Sequence, residues 1–382
     1  MPWQEESRMS LRKEFVSLAH SQSLPFSQLC KRFGISRKIG YKWLHRAHES
    51  QDEKFSDHSR RPHHSPSQTH PEIEEQVIEL RRKHPAWGGR KISKILQRRG
   101  FDTVPAPSTV THILHRHNMI TPRASGEGGL YRRFEHEAPN QLWQMDFKGY
   151  FQTIKGRCDP LTVLDDHSRF NLVLRALQSQ STVPVQTVLQ ETFRRYGLPL
   201  RMNMDNGQPW GSPRAAHHGL SRLSAWLVRL GIRISFSRPA HPQTNGKEER
   251  FHRSLKAEVL QGASFENLPQ VQRSFDRWRQ IYNHERPHEG IDMAVPAERY
   301  MPSPRPYPEQ LPPIEYGPDD VIRKVKPNGF VSFKGHLFLA SRGLRGQPIA
   351  LRPRPNEDGV YDFYYCKHYF KTIDLNDLAE DD

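Results

Sequence analysis

The sequence predicts a multidomain chain: all-α helix-turn-helix modules, then an α/β core on a mixed five-stranded sheet, then a small C-terminal β barrel. Three observations lead there. Apolar residues recur at helical spacing up to about residue 118, alternate as in strands from 141, and alternate again after 319. Segments that are polar or proline-rich separate these regions. The charge is uneven: 57 Lys and Arg face 42 Asp and Glu, a net of +15, of which residues 1–140 hold +9, 141–300 hold +7 and 301–382 hold −1.

That balance selects a polyanionic partner, with nucleic acid ahead of membrane. Three widely spaced cysteines, Cys30, Cys158 and Cys366, exclude a disulfide framework and a paired-cysteine zinc site, and predict a reducing compartment. No run of eighteen apolar residues predicts a membrane span, and the opening MPWQEESRMS lacks the apolar core of a signal peptide.

Residues 1–50 read as three short helices. Leu11, Phe15 and Leu18 mark the first, and Phe26, Leu29, Cys30 and Phe33 the second, which Gly34 ends. Ser36 is the expected cap of the third, with Ile39, Trp43 and Ala47 inward. Arg37, Lys38, Tyr41, Lys42 and Arg46 form its basic, aromatic outer face, suited to a DNA major groove. Residues 51–71 read as a linker, and its histidines, His58, His63, His64 and His70, as solvated residues rather than metal ligands.

Residues 72–120 repeat the scheme. Ile73, Val77 and Leu80, then Ile92, Ile95 and Leu96, then Val110, Ile113 and Leu114 make three apolar stripes. Ser108 is the expected cap of the last helix, and Thr109, Thr111, His112 and Arg116 are its candidate DNA contacts. A linker over 121–139 follows.

Residues 140–300 form the predicted core. In QLWQMDFKGYF, Trp143, Met145 and Phe147 point one way and Gln144, Asp146 and Lys148 the other. Two further strands, a helix over 183–196, and the strand LPLRMNMD ending at Asp205 come next, followed by a helix near 220–230 and the strand IRISFS. Asn245-Gly246 opens a helix whose stripe is Phe251, Leu255 and Val259. At ~100° per residue, Glu249 lies roughly 160° from Phe251 and Glu248 only about 60°. Lys247, His252, Arg253 and Lys256 on this helix are candidate contacts to DNA.

Asp146, Asp205 and Glu249 thus sit on three elements of a basic chain. Such a cluster repels itself unless it holds divalent cations, and hard carboxylate oxygens suit Mg²⁺ or Mn²⁺. Two such ions ~3.5–4 Å apart catalyse phosphodiester displacement. Spacing alone leaves open that each is an ordinary solvated or salt-bridged acid. Asp165 and Asp166 in LDDHSRF read as structural, with His167 or Arg169 as neighbours, and Asn206 as a turn residue or an orienting group.

QLWQMDF, MDNGQPW, HPQTNGKEERFHRSLKAE and YNHERPHEGIDMAVPAERY resemble bacterial insertion-sequence transposases with a retroviral-integrase-like catalytic core. The similarity covers about residues 140–300. It implies a ribonuclease-H-like fold and a DDE triad of Asp146, Asp205 and Glu249 binding two Mg²⁺ (or Mn²⁺), with Asp146 bridging the ions. It also implies recognition of terminal inverted repeats, hydrolysis at the element's ends, and attack of the freed 3′-OH on target DNA. The partners implied are double-stranded DNA and further copies of the chain, as a dimer or higher oligomer, in the bacterial cytoplasm at the nucleoid. The gap of 44 residues between Asp205 and Glu249 (249 − 205) is longer than integrases commonly carry, and residues 211–219 read as an inserted loop. A helix-turn-helix regulator with an inactive core is the alternative. Residues 301–318 read as an extended Pro-rich linker and 319–376 as the small β barrel.

Overall fold

The computed structural model describes residues 8–49, 55, 57, 69–120, 135–205, 207–211, 219–237 and 246–378. Asn206, most of the 211–219 loop, and His58, His63 and His64 lie outside the described residues. The chain divides into two compact units, 1–68 and 69–382.

The first unit holds α1 (Arg8–His20), α2 (Phe26–Arg32) and α3 (Arg37–Glu49). Phe15, Val16, Leu29, Cys30 and Trp43 form its core. Gly34 adopts φ +62° at the end of α2, a left-handed turn that glycine enters without a Cβ penalty. Ser36 Oγ accepts the Ile39 N–H at 3.3 Å and caps α3. Two expected inward residues face solvent instead: Ile39 is 43% exposed and Leu11 38%. Buried Gly40 takes the contact, because a Cβ there would stand 2.9 Å from Cys30 Sγ and from the Phe26 ring. A stripe drawn through apolar side chains passes over a glycine that matters by having none.

The second unit opens with α4 (Pro71–Lys83), α5 (Gly89–Arg98) and α6 (Pro107–Arg116), whose core is the predicted set of Val77, Leu80, Ile92, Leu96, Val110, Ile113 and Leu114, plus Trp87. The cap of α6 is Ala106, not Ser108, with Pro107 at the first helical position, where its missing N–H costs nothing. Gly89 lets α5 and α6 touch, since a Cβ there would meet the Pro107 carbonyl oxygen at 2.3 Å.

The core sheet contains β1 (Trp143–Phe147), β2 (Phe151–Thr153), β3 (Gly156–Asp165), β4 (Asn171–Leu177), β5 (Arg201–Met204) and β6 (Arg233–Phe236). Antiparallel β1–β3 and β3–β4 pairs join parallel β1–β5 and β5–β6 pairs, and β2 continues the pairing of β1 along β3. This is the mixed sheet of a ribonuclease-H-like core, with β2 as a sixth strand. One face buries Trp143, Met145, Leu161 and Val163 against α7 (Thr182–Tyr196) and α8 (Arg222–Arg229). The other buries Cys158, Leu164 and Leu174 against α9 (Gly246–Leu255) and α10 (Leu268–Gln280). The short helix α11 (Pro296–Arg299) ends the core.

Residues 301–318 are not a free spacer. Arg305 donates to the Pro199 carbonyl at 2.6 Å and accepts the Leu198 N–H at 2.8 Å, while Tyr307 packs on Phe193. Beyond it, β7 (Val321–Lys324), β10 (Pro348–Pro353), β11 (Val360–Tyr365) and β12 (His368–Asp374) form a four-stranded antiparallel sheet, and β8 (Phe330–Phe333) and β9 (His336–Leu339) a hairpin. The expected barrel therefore takes the form of two antiparallel sheets around one core, with no pairing that closes them among the described residues. That core continues into Leu220, just before α8, and into Ala225 and Val228 of that helix.

Gly89→Ala should loosen the α5–α6 contact. The clash is with backbone, which cannot swing aside, so we expect a loss of ~1–3 kcal/mol in that module. Amide hydrogen exchange of α5 and α6 in the full chain checks it, and unchanged protection would refute it.

Candidate active site

The sheet register builds the site. β1 runs parallel to β5 with Gln144 beside Asn203. Asp205 directly follows β5, so this parallel pair leads it towards Asp146, whose carboxyl feels its charge. On the other side Asp146 faces Thr162 of β3. α9 crosses this face, anchored by fully buried Phe251 and Leu255. Its two adjacent glutamates separate as the helical angles predict: Glu248 is 1% exposed and Glu249 faces solvent.

Burial pushes the Asp146 carboxyl up to about 6, and the negative charges of Asp205 and Glu249 add to the rise. The Phe147 N–H, 2.8 Å from Asp146 Oδ1, opposes it only in part. Burial also raises Asp205, offset by the Gly207 N–H at 3.0 Å. The three carboxylates of the sequence triad therefore meet in one electrostatic field. They are not gathered into one ligand shell: among the described residues no three His, Cys, Asp or Glu side chains could hold an ion. The donor chemistry nevertheless fits a hard divalent cation, since a carboxyl raised by burial and further by two acidic neighbours is the environment a cation relieves.

Behind the carboxylates lies a second layer. Buried Glu248 accepts from Thr162 Oγ1 at 3.0 Å, and burial with the charge of Asp146 pushes its carboxyl well up. Thr162 Oγ1 also lies 3.0 Å from the Asp146 carbonyl and 2.9 Å from His252 Nε2. Burial and Lys148 pull His252 down to about 4, so its imidazole is neutral near pH 7. Lys247 pairs with fully buried Asp166, which also accepts from Gln144 Nε2 at 2.8 Å and the His136 N–H at 3.0 Å. Asp165 accepts from Ser168 Oγ at 2.6 Å and the Asn140 N–H at 2.7 Å. Both aspartates are structural, as expected, though Arg169 pairs with Glu135 instead.

Two expected DNA contacts on α9 are thus committed inward: Lys247 to Asp166, and His252 to Thr162. The wheel carried the signal, because Lys247 lies four residues before Phe251 and so falls on the apolar stripe. Arg253 and Lys256 are exposed, as are Arg37, Lys38, Tyr41 and Lys42 on α3, while Arg46 lies over Trp43. On α6, His112 and Arg116 are exposed and Thr109 and Thr111 half-buried. Arg116 pairs with Glu74 at 2.7 Å, and Thr111 donates to the Pro107 carbonyl at 2.8 Å. The sequence did not single out Thr162 or the Asp166–Lys247 pair, whose partners lie 86 and 81 residues away.

With this geometry in place, comparison with known proteins defines the class. Two integrase core domain models match residues 136–242 and 230–296. A homeodomain-like model matches 39–114, running from α3 through α6. Residues 136–296 are thus similar to integrase core domains, and the helices before them to a homeodomain-like domain. More particularly, residues 320–381 match the C-terminal domain of IS481 family transposases, and similar proteins include two encoded by insertion elements and the transposase of a third. The 31.7 kDa protein of insertion element IS407 from Burkholderia multivorans is 25% identical, over 58% of this chain and 78% of its own length. The 39.2 kDa protein of IS476 from Xanthomonas euvesicatoria is 26% identical, over 58% of this chain and 62% of its own length. The transposase of IS904 from Lactococcus lactis is 28% identical, over 43% of this chain and 63% of its own length. The chain thus spans less than two thirds of the last two. Among solved structures, the magnesium complex of the HTLV-2 integrase catalytic core aligns with a TM-score of 0.33 at 15% identity, covering 43% of this chain and 97% of that one. The simian T-cell lymphotropic virus intasome with the PP2A regulatory subunit B56 gamma gives 0.38 at 17%, covering 78% and 96%. No helix among the described residues is long and apolar enough to cross a membrane.

Two outcomes follow from the site. The folded chain holds the Asp146 proton more tightly than the unfolded chain does, because burial and its acidic neighbours raise its carboxyl to about 6. Its stabilising contribution is full below pH ~4 and lost as pH rises through about 6. Without divalent cations, Asp146→Asn should therefore be ~1–3 kcal/mol more stable than wild type at pH 7 and equal to it at pH 4. Thermal unfolding at the two values decides, and equal stabilities at both would contradict the electrostatic account. Lys247→Met leaves the Asp166 charge buried and unpaired, and should cost ~3 kcal/mol or more in the same measurement. A neutral result would mean that the pair does not anchor α9.

Proposed function

We propose that the chain is a DNA transposase that binds the terminal inverted repeats of a mobile element, cleaves the ends by metal-dependent hydrolysis, and joins the 3′-OH ends to target DNA. The observation that carries this reading is that Asp146, Asp205 and Glu249 come from three separate elements to within reach of one another's charge, so that Asp205 and Glu249 add to the rise that burial imposes on the Asp146 carboxyl. In this reading they are the DDE triad and hold two Mg²⁺ (or Mn²⁺). When bound, those cations supply activation of water and neutralise charge on the phosphodiester.

The chain's own residues position the reaction. β1 and β5 hold two carboxylates on a rigid sheet, and α9 brings the third, with its start tied down by Lys247. Exposed Glu249 rather than buried Glu248 faces the solvent side from which a phosphodiester arrives. Arg253 and Lys256, one to two turns further along the open side, neutralise its phosphates. The outer faces of α3 (Arg37, Lys38, Tyr41, Lys42, Arg46) and α6 (Thr109, Thr111, His112, Arg116) read the ends. Pairing two ends requires more than one copy of the chain, so a homo-oligomer assembles on DNA. Its place is the bacterial cytoplasm, at the nucleoid.

End-bearing DNA, Mg²⁺ and the full chain test this together. Asp146→Asn, Asp205→Asn and Glu249→Gln should each lose nicking by 100-fold or more and keep binding to the ends, while Glu248→Gln keeps nicking. Mg²⁺-dependent cleavage by Asp146→Asn would overturn the mechanism.

A further inference from the structure

The second helix-turn-helix module is docked on the catalytic core. Arg90 Nη1 lies 3.3 Å and Lys91 Nζ 4.0 Å from the Glu289 carboxylate. Arg98 Nη2 reaches Glu298 at 3.0 Å and the Met293 carbonyl at 3.4 Å. Between these contacts Ile281, in the turn after α10, packs into the module's own apolar core. Lys91 is the most enclosed of the cations: burial, Arg286, and Arg250 of the catalytic helix pull it down to about 8. The seam therefore reaches the residue that follows Glu249. Single exposed ion pairs are worth little. Here three basic residues of one helix, α5, grip two carboxylates of the core around an apolar contact. On the open side of the module, His112, His115 and Arg116 of α6 stay exposed.

We propose that this docking makes the module a ruler: it fixes the distance between the base pairs that α6 reads and the phosphodiester that the carboxylates cut. The inference rests on the transposase reading above and adds what sets the cleavage position. A helix in the major groove has its register fixed by base and phosphate contacts. If the helix is also fixed to the core, only one phosphodiester stands at the carboxylates. A module tethered loosely would present several, and misplacement by ~1 Å already costs about 100-fold in rate.

The test maps cleavage positions on end-bearing DNA at single-nucleotide resolution, alongside a footprint over the α6 site. The full-length double variant Glu289→Lys/Glu298→Lys sets like charges against Arg90, Lys91 and Arg98. We expect its footprint to persist, while cleavage at the native position falls at least tenfold and spreads over neighbouring phosphodiesters. Glu298→Lys with Arg98→Glu restores one ion pair with reversed polarity, and should sharpen cleavage again relative to Glu298→Lys alone. A double variant that cuts at the native position with wild-type efficiency overturns the inference. So does a uniform loss of cleavage that the charge swap fails to rescue, because misfolding then accounts for it. Wild-type protein that protects the ends and cuts nowhere overturns the transposase reading instead, and the ruler with it.

Discussion

Repulsion between carboxylates on neighbouring elements is the constraint around which the core is built. A parallel pair of strands leads Asp146 and Asp205 within reach of each other's charge, and a helix adds that of Glu249. Nothing in an unfolded chain forces these charges together. Folding does so against their mutual repulsion and against the loss of water around Asp146. The site is held by other contacts: the two apolar layers of the sheet, and the ion pair between Lys247 and buried Asp166 at the start of α9. Strain of this kind, concentrated where chemistry is expected and offset elsewhere, is a property of functional sites.

The surroundings of the triad divide by charge. Towards the interior, Glu248, Thr162 and His252 form a cluster in which burial pushes the carboxyl up and the imidazole down, so burial there disfavours charge on both groups. Towards solvent, Arg253 and Lys256 supply positive charge. A polyanion is therefore drawn to the open side of α9. The chain's excess of basic residues has the same logic on a larger scale, since it is confined to the modules and the core. The C-terminal sheets lack it, and they attach to the core through α8 by packing and by the 2.6 Å bond from Ser341 to the Leu220 carbonyl.

Much of the fold was legible because periodicity records burial. The stripes of α4 to α6 and the alternation of β1 came out as expected, and the two glutamates of α9 were told apart by helical angle alone. What escaped had physical reasons. Gly40 contributes by lacking a side chain, so no apolar count marks it. Lys247 is a cation whose helical position falls on the apolar stripe, and the carboxylate that receives it there lies 81 residues earlier. Thr162 became part of the site through strand register, which a single strand's sequence does not state. The sequence also marked residues 301–318 by composition as a spacer. Their docking depends on Arg305 finding carbonyls 106 and 75 residues away.

The central claim is that the acidic field on the sheet is a divalent-cation site. Thermal unfolding of the full chain at pH 7 against rising Mg²⁺ tests it most directly. A cation that binds only the folded chain stabilises it by ~2.7 kcal/mol at 100 times its dissociation constant. The account predicts that wild type gains stability in this way, that Glu248→Gln gains it equally, and that Asp205→Asn does not. Equal Mg²⁺ stabilisation of wild type and Asp205→Asn, or none in wild type, would contradict it.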